Sequence, residues 1–246
     1  MSINKFKVQF TRNTIDELKK NDGIISLLYF GYYIILLIGF GLICFNTSIY
    51  KEVGKLFTNN YLARIIFYLP ITVISVAPIF IILKVRNQRL ETIGLSCRNL
   101  FKSLLIGIVG AIPFSLLNIN GALQAGKNIN TNILDFIYIF LYFLICIAFV
   151  EEVVFRGFIQ TRIFELIKGK WIGIIVVGVL FAAIHIPFQM MVAHMNLVEF
   201  LMYDCAHLFI TFIIHIYLVY LYTRYNNLTS TIIAHTLMDF SYAIFM

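Results

Sequence analysis

Three short patterns in this chain place ionisable side chains inside apolar runs. Glu151-Glu152-Val153-Val154-Phe155-Arg156 follows directly on the run FLYFLICIAFV, Phe181-Ala182-Ala183-Ile184-His185 lies within a second run, and His235-Thr236-Leu237-Met238-Asp239 within a third. A charged side chain at mid-bilayer depth costs at least ~2.5 kcal/mol, so each marks a candidate functional site. The spacing suggests roles. Glu152 and Arg156 are four apart on one helical face and can form an ion pair. Glu151 points about 100° away, free to face a cavity. Phe181 and His185 share a face, as do His235 and Asp239. A carboxylate and a histidine facing a dry cavity can share a water and make it nucleophilic, and burial raises the carboxylate towards a useful base. A second histidine and an aspartic acid can then donate to a developing oxyanion. Asp239 donates only when protonated; otherwise it accepts from His235 or from a substrate group.

The elements that must position these groups follow from composition. Of 246 residues 61% are hydrophobic and 13% charged, with a mean hydropathy of +0.90. Soluble domains run at roughly 45–50% apolar and about 25% charged, so this chain lacks the polar surface of a water-soluble globule. A soluble enzyme, a secreted disulfide scaffold and a disordered chain are excluded. The apolar stretches are continuous and about 20 residues long, which selects helices over a barrel with its period-two alternation. The expected fold is an all-α polytopic helical membrane protein, 1–246 forming a single membrane domain with its motif-bearing core at about 133–246. Seven spans are counted: Ile24–Phe45; Ile65–Leu83 with kinks at Pro70 and Pro78; a short third, Leu104–Ile119; a fourth from Ile133; Trp171–Met191; Cys205–Thr223, with room for a short helix before it; and Leu228 to the C-terminus. An eighth would have to hide in Asn196–Thr223 or Glu151–Lys168. The basic segment Lys84–Lys102 is expected along the membrane interface.

With the N-terminus inside, 15 Lys and Arg fall in cytoplasmic segments (Lys5, Lys7 and Arg12 among them) and 4 on the other side. That asymmetry predicts a multi-pass cell-membrane protein with a cytoplasmic N-terminus. It also accounts for the net charge of +7 without a nucleic-acid partner. Cys44, Cys97, Cys146 and Cys205 are scattered, which gives neither a disulfide framework nor a cysteine metal site.

Depth brings the three patterns together. Glu151 lies 17 residues before Lys168 and His185 15 residues after Lys170. At 1.5 Å per residue both sit roughly 22–26 Å from the shared turn. His235 is 11 residues past Arg224, on a helix entering from the same side. Convergence requires the fourth helix to continue past Glu152 to about Leu166. Other polar groups have plainer expectations. His194, His207 and His215 are helix–helix hydrogen-bond partners, with a seam of His207, Thr211 and His215 on one face and Asp204 beside His207. Glu165 and Arg162 form an interfacial charge pair.

Together, Glu151-Glu152-x-x-x-Arg156, Phe181-x-x-x-His185 and His235-x-x-x-Asp239 resemble the CPBP family of intramembrane proteases. That family groups the type II CAAX prenyl endopeptidases with bacterial "ABI" relatives, many tied to bacteriocin self-immunity. The neighbourhood is also similar: FRGFIQ after the double Glu, and TSTIIA before His235. The resemblance covers about Phe140 to the C-terminus. It implies an all-α membrane fold and proteolysis of a membrane-associated peptide or protein near the cytoplasmic side. Carried over, Glu151 and His185 activate water, His235 and Asp239 face the substrate carbonyl, and Glu152, Arg156 and Phe181 support the site. Asp239 departs from the Asn of the prenyl proteases. Family members are often called metalloproteases. Two His and a Glu can bind zinc, but there is no HExxH helix, so no cofactor is assigned and zinc is disfavoured. The alternative functions are a non-proteolytic bacteriocin-immunity or regulatory protein acting by binding, and a transporter with a proton relay. No paired broken-helix repeat supports the transporter. Oligomeric state is left open.

Overall fold

The structure is a computed structural model in which residues 8–245 are described. Lys5 and Lys7 lie outside the described residues, as does the side chain of Arg12. Besides single turns at Arg12–Asp16 and Leu90–Ile93, the helices are α1 (Asp22–Asn46), the short α2 (Ile49–Lys55), α3 (Asn60–Val85), α4 (Leu100–Gln124), α5 (Ile133–Glu165), α6 (Lys170–Ala193), α7 (Leu197–Tyr225) and α8 (Thr229–Ala243). Among the described residues six of them, α1 and α3 to α7, are long and apolar enough to cross a membrane. Large apolar side chains stand exposed along them, for example Leu28, Ile35, Val73, Ile81, Val109 and Leu117. In water such surface would be a liability; against lipid tails it needs no cover.

Several expected boundaries are corrected. The third span is the 25-residue α4 and is not short. Its polar end, Asn118 and Asn120, looks like loop in sequence, but Asn118 Nδ2 donates to Met238 O at 2.8 Å and to Ser241 Oγ at 3.2 Å on α8. α7 is one uninterrupted helix, started by a capping box in which Asn196 and Glu199 satisfy each other's backbone N–H groups. The polar residues Glu199, Asp204 and His207 lower its hydropathy without breaking it. Glu151–Lys168 continues α5 to Glu165. An eighth span is therefore found in neither stretch. The expected seventh span is the 15-residue α8. At about 22 Å it is shorter than a hydrocarbon core of about 30 Å. α8 runs alongside α4 in the same direction, with Ser115 Oγ donating to Leu237 O at 3.3 Å.

Gly107 makes this approach close: a Cβ there would stand 2.6 Å from Ser230 O. Gly107→Ala is therefore expected to cost about 1–3 kcal/mol by overpacking. Thermal unfolding in detergent checks this. Gly39→Ala in α1, where a Cβ meets nothing within 4 Å, is the control and should not lower the melting temperature.

The helix ends gather on two faces. On one, Arg86 Nε donates to Asp22 Oδ1 at 2.9 Å, Lys170 Nζ to Val8 O at 2.9 Å, and Leu228 N to Gly94 O at 2.9 Å. On the other, Asn59 Nδ2 donates to Asp135 Oδ1 at 2.6 Å and Asn130 N to Ile244 O at 2.8 Å. The first face carries the basic segments. There Lys84–Lys102 does more than lie along an interface: Gln88, Thr92 and Ile93 are buried within the protein. Their task is Arg162, which is buried rather than interfacial. Its guanidinium donates to Gln88 Oε1 at 3.0 Å, Thr92 Oγ1 at 2.7 Å, Thr92 O at 3.1 Å and Thr161 Oγ1 at 2.6 Å. The expected Glu165–Arg162 pair is thus corrected; Glu165 Oε2 accepts instead from Gly23 N at 3.3 Å.

Candidate active site

α5 carries the double glutamate on an unusual backbone. It contains two π-helical stretches, Tyr142–Ala148 and Glu152–Ile159, around a single α turn. Such wide turns favour functional sites. They separate successive side chains by a smaller angle than an α turn does, so Glu151 and Glu152 can both be directed at one neighbour. That neighbour is His235 of α8. Its Nδ1 stands 2.8 Å from Glu152 Oε1, and its Nε2 stands 4.0 Å from Glu151 Oε2 and 3.5 Å from Asp239 Oδ2. Glu152 Oε1 also accepts from Arg156 Nη1 at 3.0 Å. Glu152 and Arg156 are both fully buried. Of the three groups expected to converge, Glu151, His185 and His235, the structure brings Glu151 to His235, together with Glu152, Arg156 and Asp239, while His185 makes its hydrogen bond within its own helix.

His185 and Phe181 join through their own helix, α6. His185 Nδ1 lies 2.8 Å from Phe181 O, a group that only accepts, so Nδ1 carries the proton and a neutral ring keeps a lone pair at Nε2. The Phe181 ring packs edge-on to His185, with centroids 5.1 Å apart, and the Arg156 guanidinium lies over it at 4.1 Å. This last contact satisfies one face of a buried cation. The link from His185 to the glutamates thus runs through Phe181 and Arg156.

Of the other histidines, His207 Nδ1 meets Asp204 Oδ2 at 3.0 Å as expected. His215 is a helix–helix partner, with Nε2 at 3.1 Å from Gln160 Oε1 of α5. The expected seam of His207, Thr211 and His215 is not built, because each histidine turns to a different partner. His194 lies outside the helix interior: it follows the last residue of α6 with a left-handed φ of 53°. Gln160 was missed in sequence. The signal was available in its i,i+4 spacing from Arg156, extending the stripe Glu152–Arg156–Gln160.

Among the described residues no three His, Cys, Asp or Glu side chains are placed to share a metal ion. His235 commits Nδ1 to Glu152 and His185 commits Nδ1 to Phe181.

With this geometry established, the comparison with known families is informative. Residues 133–241 match the family described as type II CAAX prenyl endopeptidase Rce1-like. This segment of the chain is similar to that family. It spans less than half the chain but contains all of Glu151, Glu152, Arg156, Phe181, His185, His235 and Asp239. It opens at the first residue of α5 and closes within α8, so the Rce1-like unit here is α5 to α8, with α1, α3 and α4 packed around it. No curated protein and no solved structure matches the chain.

Proposed function

We propose that this Rce1-like chain is an intramembrane endopeptidase that hydrolyses a peptide bond in a membrane-associated peptide or protein. The observation that carries this reading is one imidazole, His235, held between three carboxylates among apolar helices. Glu152 Oε1 accepts from Nδ1–H of a ring protonated on both nitrogens and is itself held by Arg156, which fixes the ring. The opposite edge, Nε2, stands 4.0 Å from Glu151 Oε2, too far for a direct hydrogen bond, so both atoms are left to face reacting groups beside them. Glu151 is the general base: it takes a proton from water as the water oxygen attacks the carbonyl carbon. His185, through Nε2, orients that water. The carbonyl oxygen gains negative charge, which a proton on His235 Nε2 stabilises, and Asp239 orients that edge of the ring. The proton held on Glu151 then passes to the leaving amine. No metal enters these steps.

The basic end face is the cytoplasmic one, with the N-terminus on that side, by the 15-to-4 distribution of Lys and Arg. The protein resides in the cell membrane, and its direct partners are lipid and the peptide substrate. Asp239 stands where the prenyl proteases carry Asn. Asp239→Asn keeps an acceptor for the ring and is expected to keep cleavage, whereas Asp239→Leu is expected to lose it; rates on one reporter compare the two.

The test of the function is cleavage of a panel of membrane-peptide reporters by purified protein, beside Glu151→Ala and His185→Ala, with and without chelator. Cleavage that is lost in both variants and survives chelator supports the reading. Loss in chelator with recovery on added zinc would replace the metal-free mechanism. A wild-type protein inert on the panel, whose biological effect survives Glu151→Ala, would be acting by binding.

A further inference from the structure

A line of buried side chains with unpartnered polar atoms leads away from the candidate active site. Among the described residues, Glu152 Oε2, Arg156 Nε and Nη2, Gln160 Nε2 and His215 Nδ1 have no hydrogen-bond partner, and nor do Arg162 Nε and Tyr222 Oη beyond them. Glu152, Arg156, Gln160, His215 and Tyr222 are all 0% exposed. Glu152, Arg156 and Gln160 follow each other four residues apart along α5, and His215 of α7 is bonded to Gln160 at 3.1 Å. Ten residues separate Glu152 from Arg162, about 15 Å of helix. Arg162 is held by Gln88 and Thr92 at the basic end face. The line therefore joins that face to the carboxylates.

Its chemistry alternates. Arg156 and Gln160 offer N–H groups, and Glu152 Oε2 offers lone pairs. With His215 Nε2 donating to Gln160 Oε1, the Nδ1 of a neutral ring is an acceptor. Tyr222 does either. Burying such groups unpaired is costly, and proteins meet this with ordered waters that make about 3 hydrogen bonds each. Water that accepts from Arg156 or Gln160 and donates to His215 or Glu152 answers every group in turn. A hydrolase working inside a membrane consumes a water at each turnover, and its lipid-facing walls supply none.

We propose that Glu152, Arg156, Gln160, His215, Arg162 and Tyr222 line an internal water file that feeds the active site from the basic end face. The use of that water rests on the hydrolase reading; the presence of water does not.

Hydroxyl-radical footprinting of the intact protein in nanodiscs tests this without substrate. Radicals generated from internal water label the side chains beside it. His215, Tyr222 and Phe181 are expected to be labelled, while the similarly buried Phe200 and Leu218 stay unlabelled. Labelling of His215 and Tyr222 no stronger than that of Phe200 would overturn the file. Replacing the walls, Gln160→Leu with His215→Leu, is expected to abolish the labelling of Phe181 and to lower kcat at unchanged KM. Phe181 labelled as before in that folded variant would also count against it. A labelled wild-type protein that cleaves no peptide would keep the file and remove the hydrolase reading instead.

Discussion

Glu152→Ala is expected to be the most damaging single substitution in the chain, costing about 3–5 kcal/mol of stability along with all activity. The reason is what stays behind. Arg156 is 0% exposed, and its one hydrogen-bonded counter-charge is Glu152. Its remaining support is the ring of Phe181. Without the carboxylate the guanidinium is a buried charge with no hydrogen-bonded counter-charge. His235 also loses the partner of its Nδ1. Removing both charges has a different outcome: Glu152→Leu with Arg156→Met fills similar volume without a charge to desolvate, so most of the stability is expected to return. Activity is not, because His235 is no longer oriented. Unfolding in detergent measured on the single and double variants reads the coupling directly. A single variant that melts like the wild type would mean that Arg156 is neutralised by groups other than Glu152, and that this pair does not hold the site.

The legibility of this site in sequence depended on charge. Lipid penalises ionisable groups so strongly that Glu151, Glu152, Arg156, His185 and His235 stand out from their apolar surroundings by type alone, and i,i+4 spacing then assigns their faces. Uncharged polar residues carry no such signal. Gln88, Thr92, Asn118 and Gln160 occur in sequence much as loop or helix-end residues do, and their partners lie 120 residues away for Asn118 and 74 and 70 for Gln88 and Thr92. Arg162 was misplaced for the same reason. A cation near the end of an apolar run suggests a headgroup contact, and only the folded Gln88–Thr92 segment makes it a buried one. α8 shows a second limit. Hydropathy reports that a helix avoids water; it does not report whether its neighbours are lipid or protein, so the 15-residue α8, packed along α4 between the two end faces, reads in sequence like any other span. The π-helical turns of α5 left no readable signal, because hydropathy tracks which residues are apolar and not how tightly the backbone winds.

Glu151→Gln, one residue along, is expected to behave in the opposite way from its neighbour. Cleavage should fall about 10²–10⁴-fold in kcat, the usual contribution of a general base, while the melting temperature stays where it is. Glu151 belongs to no tight ion pair, since its nearest cationic group is His235 Nε2 at 4.0 Å, and its side chain is partly exposed. The amide fills the same space and leaves Arg156, Glu152 and His235 as they are. What it removes is the ability to take a proton from water. Because substrate binding does not need that step, KM is expected to hold, and the loss falls on the chemical step alone. Running the wild-type reaction in H₂¹⁸O adds a direct readout: the new C-terminal carboxylate gains one labelled oxygen per cut, and the Gln variant forms that product only at the residual rate. A variant that cuts at the wild-type rate would move the base to another group, with His185 Nε2 the remaining candidate on the facing helix. The pair of results, an inert but stable protein at 151 and an unstable one at 152, separates the carboxylate that reacts from the one that holds the site together.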